Sequence, residues 1–223
     1  IFLNRDQIND LISMEEAIRA MKTAFAQLSS GEAVVPPRLS LDIPDKNATS
    51  LVMPAYATGS PYYTVKIVSV NYSNPDKGLP LIHGIVQVFD AENGKHIANL
   101  DGASITAIRT GAASGLATDL LAKENANVCA VFGTGVQAAA HIEAVLEVRP
   151  IEKIIVFSRS KLSAEKFCST LANQVQCEIG EKESLLEADI VCTTTPASSP
   201  LFEADKIKPG CHLNVVGSHQ PSF

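Results

Sequence analysis

The sequence predicts an α/β protein in two parts, in which an α+β region with an antiparallel sheet precedes a Rossmann-type, doubly wound parallel sheet. Two observations support this prediction. From residue 128 onward, strand-like segments alternate with helix-like segments, which is typical of βαβ units. Between residues 38 and 100, period-two strand segments instead follow one another, separated by clusters of Gly, Pro and Asn.

The composition is that of a folded protein without a strongly basic binding face. Of the 223 residues, 46% are hydrophobic and 19% are charged, which supplies a core and excludes wholesale disorder. The formal net charge of −6 argues against nucleic acid and anionic membranes as partners, because both select clustered basic residues. The N-terminal segment IFLNRDQ lacks the features of a signal peptide, and we expect a cytoplasmic protein.

The five cysteines show neither a CxxC pair nor metal-type spacing, so we expect no metal site. Their odd number and the length of the chain argue against a disulfide framework. Cys129 and Cys192 stand inside apolar runs and are interpreted as small core residues. This cysteine usage agrees with a reducing compartment.

The first half begins with a helix and continues as strands. A capping box at Ser13 and Glu16 and an apolar stripe predict a helix over residues 14–28. Strand segments follow, and residues 90–94 are predicted to turn a hairpin. The next helical pattern, SITAIRTGAASGLATDLLA, contains a run of small residues that indicates close approach of a neighbouring backbone or ligand.

The second half alternates between strands and helices, and we place the domain boundary between residues 115 and 116. Strands are predicted over 128–132, 154–158, 175–179, 189–193 and 213–217, and helices over 134–148, 162–173 and 181–187. The chain ends at Phe223, directly after a strand expected inside the sheet, and begins with Ile1 instead of Met. We therefore expect that a C-terminal part of the protein follows this chain.

A glycine motif joins the strand VCAVF to the helix after it. In the sequence GTGVQA, Gly133 permits a tight turn, Gly135 lets the backbone approach a diphosphate, and Ala138 lets the helix pack close to the sheet. The helix N-terminus would then direct free N–H groups at the diphosphate. This GxGxxA motif therefore predicts dinucleotide binding, and an ordinary turn without a ligand is the alternative.

The end of the second parallel strand bears on which dinucleotide binds. NAD sites usually carry Asp or Glu there, whereas this chain has Ser158, Arg159, Ser160 and Lys161. Cations and hydroxyls suit a 2′-phosphate, so NADP(H) is favoured and NAD(H) is possible. The alternative is that both cations lie in a solvated loop.

Two cations stand in apolar surroundings. Lys66 lies in the strand YYTVKIVSV, both of whose faces are largely apolar, and Arg109 shares a helix face with small and apolar residues. Each calls for an anionic partner such as a substrate carboxylate. Snorkelling of Lys66 and an internal carboxylate for Arg109 are the alternatives. Arg38, after two prolines, indicates little by itself.

The last strand leads into Gly217, Ser218 and His219. In an open α/β sheet the carboxyl ends of strands line the ligand crevice, so His219 is a candidate acid or base. A histidine on a surface loop is the alternative. The chain contains neither GxSxG nor HExxH, so hydrolase and metalloenzyme functions have no support.

The sequence resembles the ornithine cyclodeaminase/mu-crystallin family. The resemblance rests, in chain order, on MEEAIRAMKTAF, PPRLSLDIP, VKIVSVNYSNPDKGLP, FDAENGKHIANLDGASITAIRTGAASGLATDLLA, VFGTGVQAAAHIEAV, VFSRSKLSAEKF and NVVGSHQP. It implies a substrate-binding and dimerisation domain over residues 1–115 and a Rossmann domain over 116–223. It also implies a nicotinamide cofactor and a homodimer.

The resemblance assigns roles to individual positions. It implies that Arg38 and Lys66 hold the carboxylate and amine side of the substrate, with Arg109 between substrate and cofactor. The cofactor-binding positions that we predict are Arg109, Thr110, Gly133, Gly135, Val136, Gln137, Ser158, Arg159, Thr195, Gly217 and Ser218. Cyclodeaminases carry an Asp where this chain has His219, which disfavours redox-neutral cyclodeamination.

We therefore predict an NAD(P)H-dependent imino-acid reductase or amino-acid dehydrogenase. Its substrate would be a small cyclic or linear 2-imino acid, and Lys66 or His219 would supply the proton to nitrogen. Two alternatives stay open: an ornithine cyclodeaminase with bound NAD, and an NADPH-loaded binding protein with little turnover.

Overall fold

The structure, a computed structural model, describes residues 1–197 and 199–217. The chain divides into two compact units, Ile1–Arg109 and Thr110–Phe223. This division falls inside a helix that runs over Gly102–Leu121, and the boundary expected after residue 115 lies in the same helix. The helical pattern of the sequence is continuous across both positions, so it does not indicate where the contacts of this helix change from one unit to the other.

The first unit is built on a mainly antiparallel sheet. Its strands are β1 (Phe2–Leu3), β2 (Ala33–Val34), β3 (Leu39–Ile43), β4 (Ala48–Ala57), β5 (Tyr62–Asn71), β6 (Ile82–Asp90) and β7 (His96–Asp101). Within the described residues the order is β1-β7-β6-β5-β4-β2, and β3 also pairs with β4. The predicted turn at residues 90–94 joins the antiparallel pair β6 and β7. Only β1 runs parallel to its described neighbour, β7.

Two capped helices precede most of this sheet. Helix α1 (Arg5–Leu11) begins at a capping box of Asn4 and Gln7, which the sequence analysis did not identify. Helix α2 (Met14–Ser30) has the predicted capping box and ends at Gly31, whose φ of 80° suits glycine. The predicted helix is therefore confirmed and extends two residues further than its apolar stripe.

The second unit contains a parallel sheet in the predicted Rossmann arrangement. Helix α3 (Gly102–Leu121) leads into β8 (Val128–Phe132), α4 (Val136–Val148), β9 (Lys153–Phe157), α5 (Lys161–Leu171), β10 (Gln176–Ile179), β11 (Ile190–Thr193) and β12 (His212–Val215). In the described part of the chain the strand order is β10-β9-β8-β11-β12, and every pair is parallel. The segment predicted as a helix over 181–187 is a 3₁₀ helix, Lys182–Glu187.

Both faces of this parallel sheet are buried. On β8, Cys129 and Val131 face a cluster built with α4 and α5, while Ala130 and Phe132 face a second cluster that includes Leu185. Burial on both faces explains why β8 reads as a continuous apolar run without alternation. Each fully buried large aliphatic side chain contributes roughly 1.5–3 kcal/mol to folding.

The cysteines correct one expectation. Cys129 and Cys192 are fully buried, as predicted. Cys168 and Cys177, however, are paired as a disulfide, with their Cα atoms 5.3 Å apart, although the sequence argued against disulfides. The two residues lie on α5 and on the adjacent β10, and the short connection between these elements places them opposite each other. Spacing alone does not reveal such a pair.

Helices α3 and α4 approach each other at backbone distance. A Cβ on Gly111 would lie 2.5 Å from the carbonyl oxygen of Ala140 and 2.8 Å from its carbonyl carbon. The small-residue run in α3 therefore accommodates a neighbouring backbone, which is one of the two explanations that the sequence offered. Both Gly111 and Ala140 belong to the second unit.

The contact between Gly111 and Ala140 predicts the direction in which a substitution changes the free energy of unfolding. Alanine normally stabilises a helix interior relative to glycine, by about 1 kcal/mol. Because a new Cβ at Gly111 would overlap the Ala140 backbone, we expect Gly111→Ala to destabilise the protein by about 1–3 kcal/mol in denaturant unfolding. Ser29→Ala, at the exposed end of α2, is the control for helix propensity without a new contact. A gain in stability for Gly111→Ala would contradict the backbone contact.

Candidate functional site

Lys66 lies on the central strand β5, opposite Met53 on β4 and Val86 on β6. Its side chain shares a sheet face with Val68, which is buried. A Cβ on Gly84, next to Val68 across the strands, would lie 3.6 Å from the backbone of Gly102 at the start of α3. The strand alternation seen in the sequence therefore places Lys66 on a covered face, where it is half-buried.

A second cation lies close to Lys66. Burial, and to a lesser extent the positive charge of Arg109, together lower the pKa of Lys66 to about 8. Arg109 reaches solvent, yet desolvation also lowers the pKa of its guanidinium. We call Lys66 and Arg109 the cation pair; both belong to the first unit.

No described carboxylate neutralises the cation pair. Among the described residues, neither cation makes a salt bridge, and no acidic group contributes to the pKa shift of either. The two like charges repel each other, and each loses part of its hydration. The arrangement therefore favours an anionic ligand. The internal carboxylate that the sequence left open as a partner for Arg109 is not found among the described residues.

Arg38, which is also predicted to hold the substrate, has no described contact with this pair. It is exposed just before β3. Ser218 and His219 lie outside the described residues. The roles of these three residues remain predictions from the sequence.

The glycine turn, residues 133–135, has the geometry that the GxGxxA motif predicts. Gly133 has a φ of 111°, and its N–H donates to the Phe157 carbonyl at 2.9 Å. A Cβ on Gly133 would also lie 2.9 Å from Oγ1 of Thr194. Gly135 has no atom within 4 Å of its Cβ position, so space is open beside it. Gly133 is thus required by the fold, and Gly135 leaves room for a ligand.

Helix α4 starts directly after the glycine turn without a side-chain cap. Its N-cap is Gly135, so the N–H groups of Val136, Gln137 and Ala138 have no partner within the helix. Ala138 is fully buried, as close helix packing requires. Free N–H groups and the helix dipole together favour an anion such as a diphosphate.

Three further loops follow the carboxyl ends of neighbouring strands. Ser158 and Arg159 follow β9, Thr195 follows β11, and Gly217 follows β12. A Cβ on Gly217 would overlap the Thr195 carbonyl oxygen, so glycine is required for this approach. Because the strands are parallel, these loops and the glycine turn lie at one edge of the sheet, where α/β proteins bind ligands.

The loop after β9 carries positive charge and no carboxylate. Arg159 is exposed and makes no salt bridge with any residue that the structure describes. The Ser158 hydroxyl accepts from the Ser160 N–H at 3.3 Å, and Ser160 in turn caps α5. Lys161 lies 4.0 Å from Glu165, so it is partly neutralised. Arg159 is therefore the cation of this loop that is best suited to an added phosphate.

Sequence reasoning missed Thr194. Its hydroxyl donates to the Phe132 carbonyl at 2.8 Å and lies against Gly133, so it supports the glycine turn from the neighbouring strand. The available signal was its place directly after β11, at the same sheet edge. Thr110, a predicted cofactor residue, is the first residue of the second unit on α3.

Comparison with known proteins identifies the family. The model of the ornithine cyclodeaminase/mu-crystallin family matches residues 1–222. The chain belongs to the ornithine cyclodeaminase/mu-crystallin family. The resemblance inferred from the sequence motifs is thereby confirmed.

Similar proteins in this family have named activities. The Delta(1)-pyrroline-2-carboxylate reductase of Bacillus thuringiensis subsp. konkukian (strain 97-27) is 36% identical over 227 residues, covering 100% of this chain and 70% of that protein. The Thermococcus litoralis enzyme of the same name, solved with NADH and L-proline, superposes with a TM-score of 0.91 at 35% identity, over 97% of this chain and 68% of that chain. An archaeal alanine dehydrogenase dimer with bound NAD gives a TM-score of 0.91 at 31% identity, over 100% and 68%.

The relatives bear on the predicted fold, reaction class and cofactor. The Rossmann-type fold is confirmed, and relatives of this chain are imino-acid reductases and amino-acid dehydrogenases, which is the predicted class of oxidoreductase. Solved neighbours bind NADH or NAD, which supports a nicotinamide dinucleotide in general. Among the described residues, no helix is long and apolar enough to cross a bilayer, and no cluster of three or more metal-type ligands occurs.

The cation pair gives a prediction about Lys66. Because its pKa is lowered to about 8, half of the Lys66 amine should be neutral, and hence reactive, near that pH. Pulse acetylation followed by peptide mass spectrometry at a series of pH values measures this directly, with exposed Lys22 as the reference. In Arg109→Gln the Lys66 curve should move to higher pH, since one positive charge is removed. Superimposable curves for Lys66 and Lys22 would disprove the perturbation.

Proposed function

We propose that this protein is an NAD(P)H-dependent oxidoreductase that interconverts a small 2-imino acid and the corresponding amino acid. The observation that supports the proposal most strongly is the cation pair, in which Lys66 is half-buried and no described carboxylate compensates either charge. A ligand that carries a carboxylate beside an imine would neutralise it. The reductase and dehydrogenase relatives act on substrates of this kind by their names.

In this proposal the two parts of the chain have separate tasks. Residues 1–115 form the substrate-binding and dimerisation domain, and residues 116–223 form the dinucleotide-binding domain. Arg109, together with Arg38, would hold the substrate carboxylate through charge-assisted hydrogen bonds. Arginine suits this task because its planar guanidinium stays charged and can bind both carboxylate oxygens at once.

Lys66 would serve the nitrogen of the substrate. Its ammonium can donate a proton from Nζ to the imine nitrogen as that nitrogen becomes an amine. A pKa of about 8 suits a group that must donate a proton and regain one near neutral pH. When bound, the nicotinamide supplies the hydride. His219 remains the second candidate for the proton.

The second unit offers a fitting site for the dinucleotide. Open space beside Gly135 and the uncapped start of α4 suit the diphosphate. Val136, Gln137, Thr195 and Gly217 would line the rest of the ligand. The Ser158–Arg159 loop favours NADP(H) over NAD(H), since a 2′-phosphate would pair with Arg159, which has no described partner. NAD(H) remains possible, because solved neighbours hold NADH and NAD.

We also propose a homodimer. Leu39, Leu41 and Ile43 alternate along β3, so they share one face, and all three are exposed. Such a row of exposed apolar side chains suits a surface that another chain covers. The alanine dehydrogenase neighbour is described as a dimer. A cytoplasmic location stays the expectation from the sequence.

Removal of the Lys66 amine tests the catalytic assignment. Lys66→Met keeps most of the aliphatic stem, and we expect turnover of Δ1-pyrroline-2-carboxylate with NADPH to fall roughly hundredfold or more, as for a lost general acid. Dinucleotide affinity, measured by calorimetry, should not change. Lys95→Met, at an exposed hairpin turn, is the matched control. Full activity in Lys66→Met would exclude Lys66 from the reaction.

Replacement of Arg159 tests the choice of dinucleotide. If Arg159 binds a 2′-phosphate, Arg159→Ala should weaken NADPH by roughly 1.5–3 kcal/mol, the value of a lost charged hydrogen bond. NADH affinity should change little. Lys166→Ala, on the exposed side of α5, controls for the general loss of positive charge. An equal loss for both dinucleotides would reject the phosphate contact.

A further inference from the structure

The imidazole of His141 lies between α3 and α4 and is completely buried. Its Nε2 is 2.9 Å from the hydroxyl of Ser114 on α3. Its Nδ1 is 2.6 Å from the backbone carbonyl of Gln137, one turn earlier on α4. His141 belongs to no metal-type spacing in the sequence and has no part in the proposed function.

The two contacts determine which nitrogen carries the proton. A carbonyl oxygen can only accept, so Nδ1 is the donor to Gln137. Burial lowers the pKa of His141, partly offset by this bond, so the ring is neutral and its Nε2 accepts from the Ser114 hydroxyl. The Gln137 carbonyl thus fixes the tautomer of the ring, and the hydrogen bond with Ser114 holds its orientation.

The acceptor belongs to the uncapped turn of α4. The Gln137 carbonyl and the Ala138 N–H are the two ends of one peptide group, and that N–H is among the free donors at the start of the helix. A hydrogen bond to a carbonyl polarises its peptide and strengthens the N–H at the other end. The Nδ1 donor therefore acts on the peptide whose N–H would face an anion bound at this helix terminus.

We propose that His141, oriented by Ser114, is a positioning residue for the dinucleotide. Through the Gln137 carbonyl it fixes and polarises the peptide whose N–H, on Ala138, binds the diphosphate. This inference rests on the proposed function. The backbone contact of Gly111 with Ala140 brings α3 and α4 together, and the Ser114–His141 hydrogen bond adds a polar contact between the same two helices.

The side chain of Gln137 adds an independent observation. Its Oε1 is buried and has no hydrogen-bond partner among the described residues. An unpaired buried acceptor is costly, and in native proteins it calls for a donor from a ligand or water. Gln137 thus presents an unpaired oxygen from the residue whose carbonyl His141 holds.

The test compares dinucleotide affinity with stability in the full chain. His141→Leu removes both hydrogen bonds, and we expect about three- to tenfold weaker NADPH binding in calorimetry, the loss expected for part or all of one hydrogen bond. At saturating NADPH, kcat and the KM for the imino acid should stay near their original values. His141→Asn should restore most of the affinity, because its Nδ2 can donate to Gln137 from the position of Nδ1.

Thr118→Ala is the matched control. Thr118 is a buried hydroxyl on the same helix, one turn beyond Ser114, and it accepts a 2.9 Å hydrogen bond from Asn214. Its loss should lower the melting temperature without changing NADPH affinity. If His141→Leu fails to fold, Ser114→Ala and His141→Asn decide the question.

The outcomes separate the two proposals. If the unmodified chain binds NADPH but His141→Leu and Ser114→Ala lose only thermal stability, as Thr118→Ala does, His141 is structural and the inference is wrong. If the unmodified chain binds neither NADPH nor NADH, the dinucleotide assignment itself fails, and the inference falls with it. Weaker binding in both variants, with rescue by asparagine, supports the inference.

Discussion

The repulsion between Lys66 and Arg109 is the constraint on which the proposed chemistry depends. Folding places the half-buried Lys66 close to the positive charge of Arg109, and no described carboxylate compensates them. Both residues are held by regular secondary structure, Lys66 in the centre of a sheet and Arg109 on a twenty-residue helix. An anionic ligand would relieve this repulsion. The unfavourable free energy of the repulsion in the unliganded protein would then contribute to the affinity for the ligand.

Backbone contacts, rather than side chains, set the geometry around the predicted binding residues. Gly84 meets Gly102 at the start of α3, Gly111 meets Ala140, and Gly217 meets Thr195. At each point a Cβ would overlap or crowd the opposing backbone. Such contacts leave little room for adjustment, because no flexible side chain can move aside. This rigidity suits a site in which small displacements are expensive.

The sequence predicted what local patterns determine. Strand alternation identified the covered environment of Lys66, and the GTGVQA motif located the glycine turn and the uncapped helix. It could not predict which carbonyl meets Gly111, the pairing of Cys168 with Cys177, or the proximity of Arg109 to Lys66, because each depends on contacts between distant elements. The two short N-terminal elements, β1 and α1, carry too few residues for a periodic signal.

The partners of each cation distinguish charges that stabilise the fold from charges that we propose bind a ligand. Arg149 is buried, but it donates to backbone carbonyls near the end of α3 and pairs with Asp119 at 3.4 Å. Lys153 pairs with Glu178 at 3.1 Å and with Glu187, and these pairs raise its pKa. These charges are satisfied internally and stabilise the second unit.

Lys66 differs from Lys153 in the direction in which its pKa is shifted as well as in its environment. Its pKa is lowered, because burial is not repaid by any described acidic neighbour. A net charge of −6 means that carboxylates are plentiful in the chain, so their absence from the described surroundings of this lysine is a property of the site and not of the composition. Because no described acidic residue neutralises this position, we propose that a ligand supplies the negative charge there.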